Sequence, residues 1–181
     1  MIYRIKQFYR GLFAKVTPED QKFLKMYLND HEIPLFHRLR MGEQRHCLNI
    51  AYDCLSSEMS DPFLIKAALL HDVGKIHSNL TLINKALVVL VLKLHIPEKI
   101  LPKFLKKALY YKMHHPTLGA KIIEESGTEP PVIFLTRYHH RDLMKNPVSS
   151  EECLIENGSM IENLKILQKI DEKKLREARS P

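Results

Sequence analysis

Residues 62–75 read Pro62-Phe63-Leu64-Ile65-Lys66-Ala67-Ala68-Leu69-Leu70-His71-Asp72-Val73-Gly74-Lys75, an apolar run that closes on a histidine and an aspartate. Asp61 and Pro62 open the stretch as a helix start, a capping carboxylate followed by a proline whose fixed φ suits the first helical position. Leu64, Ala68 and His71 then share one helical stripe, and Ile65, Leu69 and Asp72 share the next. An imidazole and a carboxylate therefore end stripes that are otherwise apolar. A buried carboxylate is costly unless something compensates it, and a metal ion does so well.

The same grammar extends outward in both directions. Thr17-Pro18-Glu19-Asp20 repeats the cap-then-proline signal, Ser159 and Glu162 have capping-box spacing, and His115-Pro116 opens a segment that stops at Gly127. Apolar spacing near 3.6 predicts helices over 2–14, 18–29, 32–39, 42–57, 62–73, 80–94, 98–112, 117–126, 131–143 and 159–177. No stretch alternates with period two between hairpin turns, so the class is all-α. The organisation expected is an N-terminal helical extension (1–30), one helical domain (31–178) and a short tail (179–181).

Length and composition narrow the function classes. At 181 residues and 21.2 kDa the chain is one domain's worth, able to fold on its own core. Three cysteines, an odd number without a CxxC pair, argue against a disulfide framework or a cysteine-based zinc site and point to a reducing, cytoplasmic setting. The longest apolar run, Ala86 to Leu92, is far short of the roughly 20 residues a membrane span needs. The net charge of +7 is uneven: Glu98 to Lys121 holds six lysines against one acid, a patch that attracts anions. No aromatic-basic platform accompanies it, which argues against specific nucleic-acid binding.

Two further stripes repeat the pattern of residues 62–75. His139 continues Val132 and Leu135, and Asp171 continues Leu164 and Leu167. Polar groups on several core faces at once imply that those faces converge on a cation. Imidazole and carboxylate together suit Mn, Fe, Co, Ni or Zn better than Mg or Ca. His31, His37, His77 and His95 lack both stripe and partner and read as structural.

These residues also carry a resemblance. Arg45-His46, the run Ala67-Ala68-Leu69-Leu70-His71-Asp72-Val73-Gly74-Lys75 and the distant Asp171 resemble the HD superfamily of metal-dependent phosphohydrolases, with an HDxGK core close to the HDIG signature. His115-Pro116-Thr117-Leu118-Gly119-Ala120 and Tyr138-His139-His140 resemble the added metal-binding segments of multinuclear members, including HD-GYP and cyclic-dinucleotide phosphodiesterases. The likeness covers about residues 40–175. It implies an HD-domain helical bundle with a first ion held by His46, His71, Asp72 and Asp171, and a second held by His115, His139 and His140 with Asp72 as bridge. It further implies Asp72 and Lys75 as catalytic groups, with Lys75 neutralising a phosphate oxygen, Arg45 and Arg141 as substrate contacts, and His114 beside the site or on the surface.

The family's GYP tripeptide and the acid after its paired histidines are missing, since Arg141-Asp142-Leu143 follows His140, so cyclic di-GMP is not the substrate implied. The expectation is a stand-alone, bacterial-type hydrolase with two divalent transition metals, acting on a nucleotide-like phosphomonoester or phosphodiester. Two alternatives stay open: a metal-bound sensor or interaction module without catalysis, and a di-iron member that activates oxygen. Two surfaces add questions of partners. The stripe Ile2, Ile5, Phe8, Tyr9, Leu12 and Phe13, set among Arg4, Lys6, Arg10 and Lys15, packs on its own domain or a second subunit, or lies peripherally on an anionic membrane through residues 1–15. Leu82 to Leu94 is apolar on most sides and reads as a core helix, with a homodimer interface as the other option.

Overall fold

Thr17 begins the first described helix through a complete capping box: its hydroxyl accepts from the Asp20 N–H at 3.2 Å, and the Asp20 carboxylate accepts from the Thr17 N–H at 2.8 Å. The computed structural model describes residues 15–57, 61–78, 82–146 and 158–177, and these form eight α-helices and no strand. In chain order they are α1 (Pro18–Tyr27), α2 (Glu32–His37), α3 (Met41–Leu55), α4 (Pro62–Leu70), α5 (Leu82–Lys93), α6 (Lys103–Glu125), α7 (Pro130–Tyr138) and α8 (Gly158–Glu177). Short 3₁₀ turns occupy Val73–Lys75 and Glu98–Ile100. The expected helix 2–14 and tail 179–181 lie outside the described residues.

The bundle is built around α4. Every residue from Leu64 to Leu70 is buried, so this helix is enclosed on all sides, with α3, α7 and α8 against it. Lys66 is the one charged residue among them. Its ammonium lies 3.0 Å from Glu32 and 2.9 Å from Glu129, and the Thr128 hydroxyl donates to Glu32 at 2.7 Å. Burial alone lowers a lysine pKa, but the two carboxylates outweigh it and raise that of Lys66. The ion group ties α2 and the start of α7 to the central helix.

Phe23, Leu24 and Leu28, within residues 15–30, enter the same core as α4. Their dock onto α3 is polar: Arg45 grips Asp20 with both terminal nitrogens, at 2.7 and 3.2 Å, and the Tyr52 hydroxyl donates to Asp20 at 2.8 Å. Burial acts to raise the Asp20 pKa, yet the bonds from Arg45, Thr17 and Tyr52 win and hold it below the usual carboxylate value. A depressed carboxylate contributes stability above its unfolded pKa and loses it as pH falls through the folded one. Asp20→Asn is therefore expected to cost about 1–3 kcal/mol near neutral pH and to flatten the acid side of the stability profile. Denaturation followed across acid pH checks this, and an unchanged profile would contradict it.

Three departures from the expected helices bear on the site. The helix over 62–73 stops at Leu70, the helix over 131–143 stops at Tyr138, and the separate helices 98–112 and 117–126 are one, α6, running through Pro116. Ser159 lies inside the first turn of α8, which starts at Gly158. Val88, Val91, Leu101, Leu105 and Ala108 form a second small core, so α5 and the first half of α6 make a hairpin with its own packing. No described helix is long and apolar enough to cross a membrane.

Candidate metal centre

The three departures have one cause, and it builds the site. A helix leaves its last carbonyls without a backbone donor. His71 follows α4, and its Nδ1 takes the carbonyl of Ala68, three residues back, at 2.9 Å. His139 follows α7 and does the same with Thr136 at 2.7 Å. His115 lies inside α6, where Pro116 has no N–H to give Lys112, and the His115 Nδ1 takes that carbonyl at 2.9 Å. In each case a proton on Nδ1 satisfies the carbonyl and leaves Nε2 with its lone pair outward.

Those lone pairs meet. The ring centroids of His71 and His139 are 5.0 Å apart, those of His139 and His115 5.3 Å, and those of His139 and His140 4.2 Å. His46 joins from α3, its ring 5.6 Å from His71. Asp72 sits between: its Oδ1 is 3.6 Å from the Nε2 of His71 and 3.4 Å from that of His115. Asp171, on α8, brings its Oδ1 to 3.1 Å from the Nε2 of His46. Two groups of ligand atoms result, His46–His71–Asp72 and His115–His139–His140, each with its atoms within 4.8 Å of one another.

The Nε2 atoms of His71, His115 and His139 are buried, and no described residue hydrogen-bonds them. Orphaned buried nitrogens are costly, and several facing one another around a carboxylate are the donor set a transition-metal ion accepts. Burial, with the Lys75 ammonium adding to it, pushes the pKa of His115 down to about 3; burial and the neighbouring imidazoles hold His139 well below the usual histidine value. Both are thus neutral and able to ligate at neutral pH. Burial works to raise the Asp72 pKa, but the Lys75 ammonium beside it prevails and holds it well below the usual carboxylate value. His140 is exposed and His46 a quarter exposed, which marks the side open to solvent.

Space at the centre depends on two glycines. The 3₁₀ turn Val73–Lys75 packs on α6 so closely that a Cβ on Gly74 would fall 2.0 Å from the His115 carbonyl oxygen and 2.6 Å from the Gly119 nitrogen. The glycines of the HDxGK and HPxxG segments are therefore the two halves of one contact.

The family model for the HD domain matches residues 37–174, a span that includes all seven of these histidines and aspartates. The chain belongs to the HD domain family. No curated protein and no solved structure matches it.

The other candidate residues of this HD domain fall differently. Lys75 is at the centre, its ammonium paired with Asp72 Oδ1 and its side chain 22% exposed. Arg45 is turned from the ligand groups: its guanidinium is held by Asp20, with Nε on Asn49 at 3.1 Å, because the residue next to His46 on a helix points a third of a turn away. Arg141 closes the loop after the paired histidines, its Nε donating to the Asn146 carbonyl at 2.9 Å and its guanidinium 5.0 Å over the Tyr138 ring. His114 is exposed beside Tyr110, on the surface rather than among the ligands.

Sequence reading missed Gln168. Its Nε2 donates to the carbonyls of Tyr138 and Arg141, at 3.1 and 2.8 Å, and so clamps the His139–His140 turn from the helix that carries Asp171. Its spacing of three residues from Asp171 was the available signal. Cys47 is buried 3.9 Å from His71 Nδ1 but belongs to neither ligand group, and burial, with Asp72 nearby, holds the thiol well above its usual pKa.

Proposed function

We propose that this HD domain is a binuclear metal-dependent hydrolase of the HDIG type, acting on a phosphate ester of a nucleotide-like molecule. The observation that carries the reading is the convergence of the buried, unpartnered Nε2 atoms of His71 and His115 on Asp72, with the equally unpartnered His139 ring against both histidines. One ion would be held by His46, His71 and Asp72 with Asp171, the other by His115, His139 and His140, with Asp72 next to both. Divalent transition metals in such a site lend Lewis acidity to a phosphoryl oxygen and lower the pKa of water into the neutral range.

The chain's own groups do the rest. The i−3 carbonyls fix the tautomer of three ligands before anything binds, which removes a reorganisation cost from the reaction. Lys75 holds a full positive charge at the edge of the centre, where a phosphate oxygen gains charge. Burial acts against that charge, but Asp72 and Glu43 preserve it. Anionic substrate is drawn in by the lysines of residues 99–121, which lead along α6 to His115.

The test is a panel of phosphomonoesters and phosphodiesters, cyclic and linear nucleotides among them, assayed with the chain loaded with Mn, Fe, Co, Ni or Zn. Metal-dependent release of product from a nucleotide ester supports the reading. Full metal loading without hydrolysis overturns it in favour of a sensor, and iron loading with oxygen uptake overturns it in favour of oxygen chemistry.

A further inference from the structure

We infer that the tip of the α5–α6 hairpin is a docking surface for an anionic lipid bilayer. It lies apart from the metal centre, and its test does not depend on turnover.

The tip begins where α5 stops. His95 takes a left-handed backbone, φ 51°, and the Ile96 N–H returns to the Val91 carbonyl at 3.1 Å, which ends the helix and turns the chain outward. Between this turn and the first turn of α6, Leu94, Ile100 and Phe104 are 59%, 72% and 52% exposed. The hairpin does not need them for its own packing, since Val88, Val91, Leu101 and Leu105 fill its seam. A single exposed apolar side chain means little, but three large ones within eleven residues form a patch.

Charge selects the occupant. From Lys93 to Lys121 seven lysines stand against Glu98 alone. A second copy of the chain meeting this tip about a two-fold axis would set like charges face to face. Residues 1–15 have four basic residues and no acid, so they do not complement it either. The partner must be anionic and must also accept aliphatic side chains. Phe104 is the one flat ring of the three, and the aliphatic Leu94 and Ile100 give successive bases no face to stack on, which disfavours RNA. A bilayer meets both demands: apolar side chains enter below the headgroups while Lys93, Lys99 and Lys103, all exposed, stay among the phosphates.

Co-sedimentation of the full chain with vesicles tests the surface. Binding is expected to vesicles of phosphatidylcholine mixed with phosphatidylglycerol, to weaken with added salt, and to be slight with phosphatidylcholine alone. The double variants Ile100→Ser/Phe104→Ser and Lys99→Gln/Lys103→Gln are each expected to lose roughly tenfold or more in affinity. Their metal content and circular dichroism, matched to wild type, show that the fold is intact. Absence of wild-type binding would overturn the inference. So would variants that bind as wild type while Ile5→Ser/Phe8→Ser abolishes binding, which would assign the contact to the N-terminal residues. Capture by polyglutamate with no vesicle binding would overturn it in favour of an acidic protein partner.

Discussion

Asp72→Ala is expected to remove most bound metal and to lower turnover by roughly 1,000-fold or more. Asp72 is the carboxylate within 3.6 Å of the Nε2 atoms of both His71 and His115, so its loss damages both ligand groups at once. It also leaves the Lys75 ammonium without its counter-charge among the histidines, which repels any cation that approaches. Removing His140, the exposed ligand of one group only, should have a smaller effect and spare the first ion. Metal content and kcat measured together on both variants check the ranking. An Asp72→Ala protein that keeps its metal and its rate would show that the carboxylate is not shared.

Gly74→Ala carries the largest expected cost to the fold. The methyl group would overlap backbone, not the movable end of a side chain: the His115 carbonyl oxygen at 2.0 Å and the Gly119 nitrogen at 2.6 Å. The turn that follows Asp72 must then separate from the helix that carries His115. Overpacking against backbone is expected to destabilise by about 3 kcal/mol or more. The left-handed glycine among the described residues is Gly127, so the demand at Gly74 is for space and not for an unusual φ. Gly119→Ala meets the Gly74 nitrogen at 3.1 Å and the Thr136 methyl at 3.4 Å, so its cost is smaller. Urea midpoints measured for the pair test this order, and a Gly74→Ala midpoint equal to wild type would refute the contact.

The helix starts were legible because their signals are local. Thr17 and Asp61 hold the N–H groups of residues two or three ahead, and both sit before a proline. The ends of α4 and α7 were not legible, because no glycine or proline stops them. They end where His71 and His139 turn their Nδ1 atoms onto carbonyls that a further helical turn would have used. The same substitution of donors hid the continuity of α6, since Pro116 reads as a break until the His115 side chain is seen to take its place. For the candidate site, stripe position was informative. His71, Asp72, His139 and Asp171 each continue an apolar stripe and are all buried at one place, whereas Arg45, implied only by the resemblance, holds a helix dock through Asp20. Gln168 offers the sequence only its spacing of three residues from Asp171, and its clamp shows once its two carbonyl partners are in view.

The most direct measurement is elemental analysis of the full chain after reconstitution with Mn, Fe, Co, Ni or Zn and removal of free ion. Two ligand groups predict about two ions per chain, retained through gel filtration, and a markedly lower content in Asp72→Ala. A wild-type chain that retains no ion from any of these metals would contradict the metal centre itself.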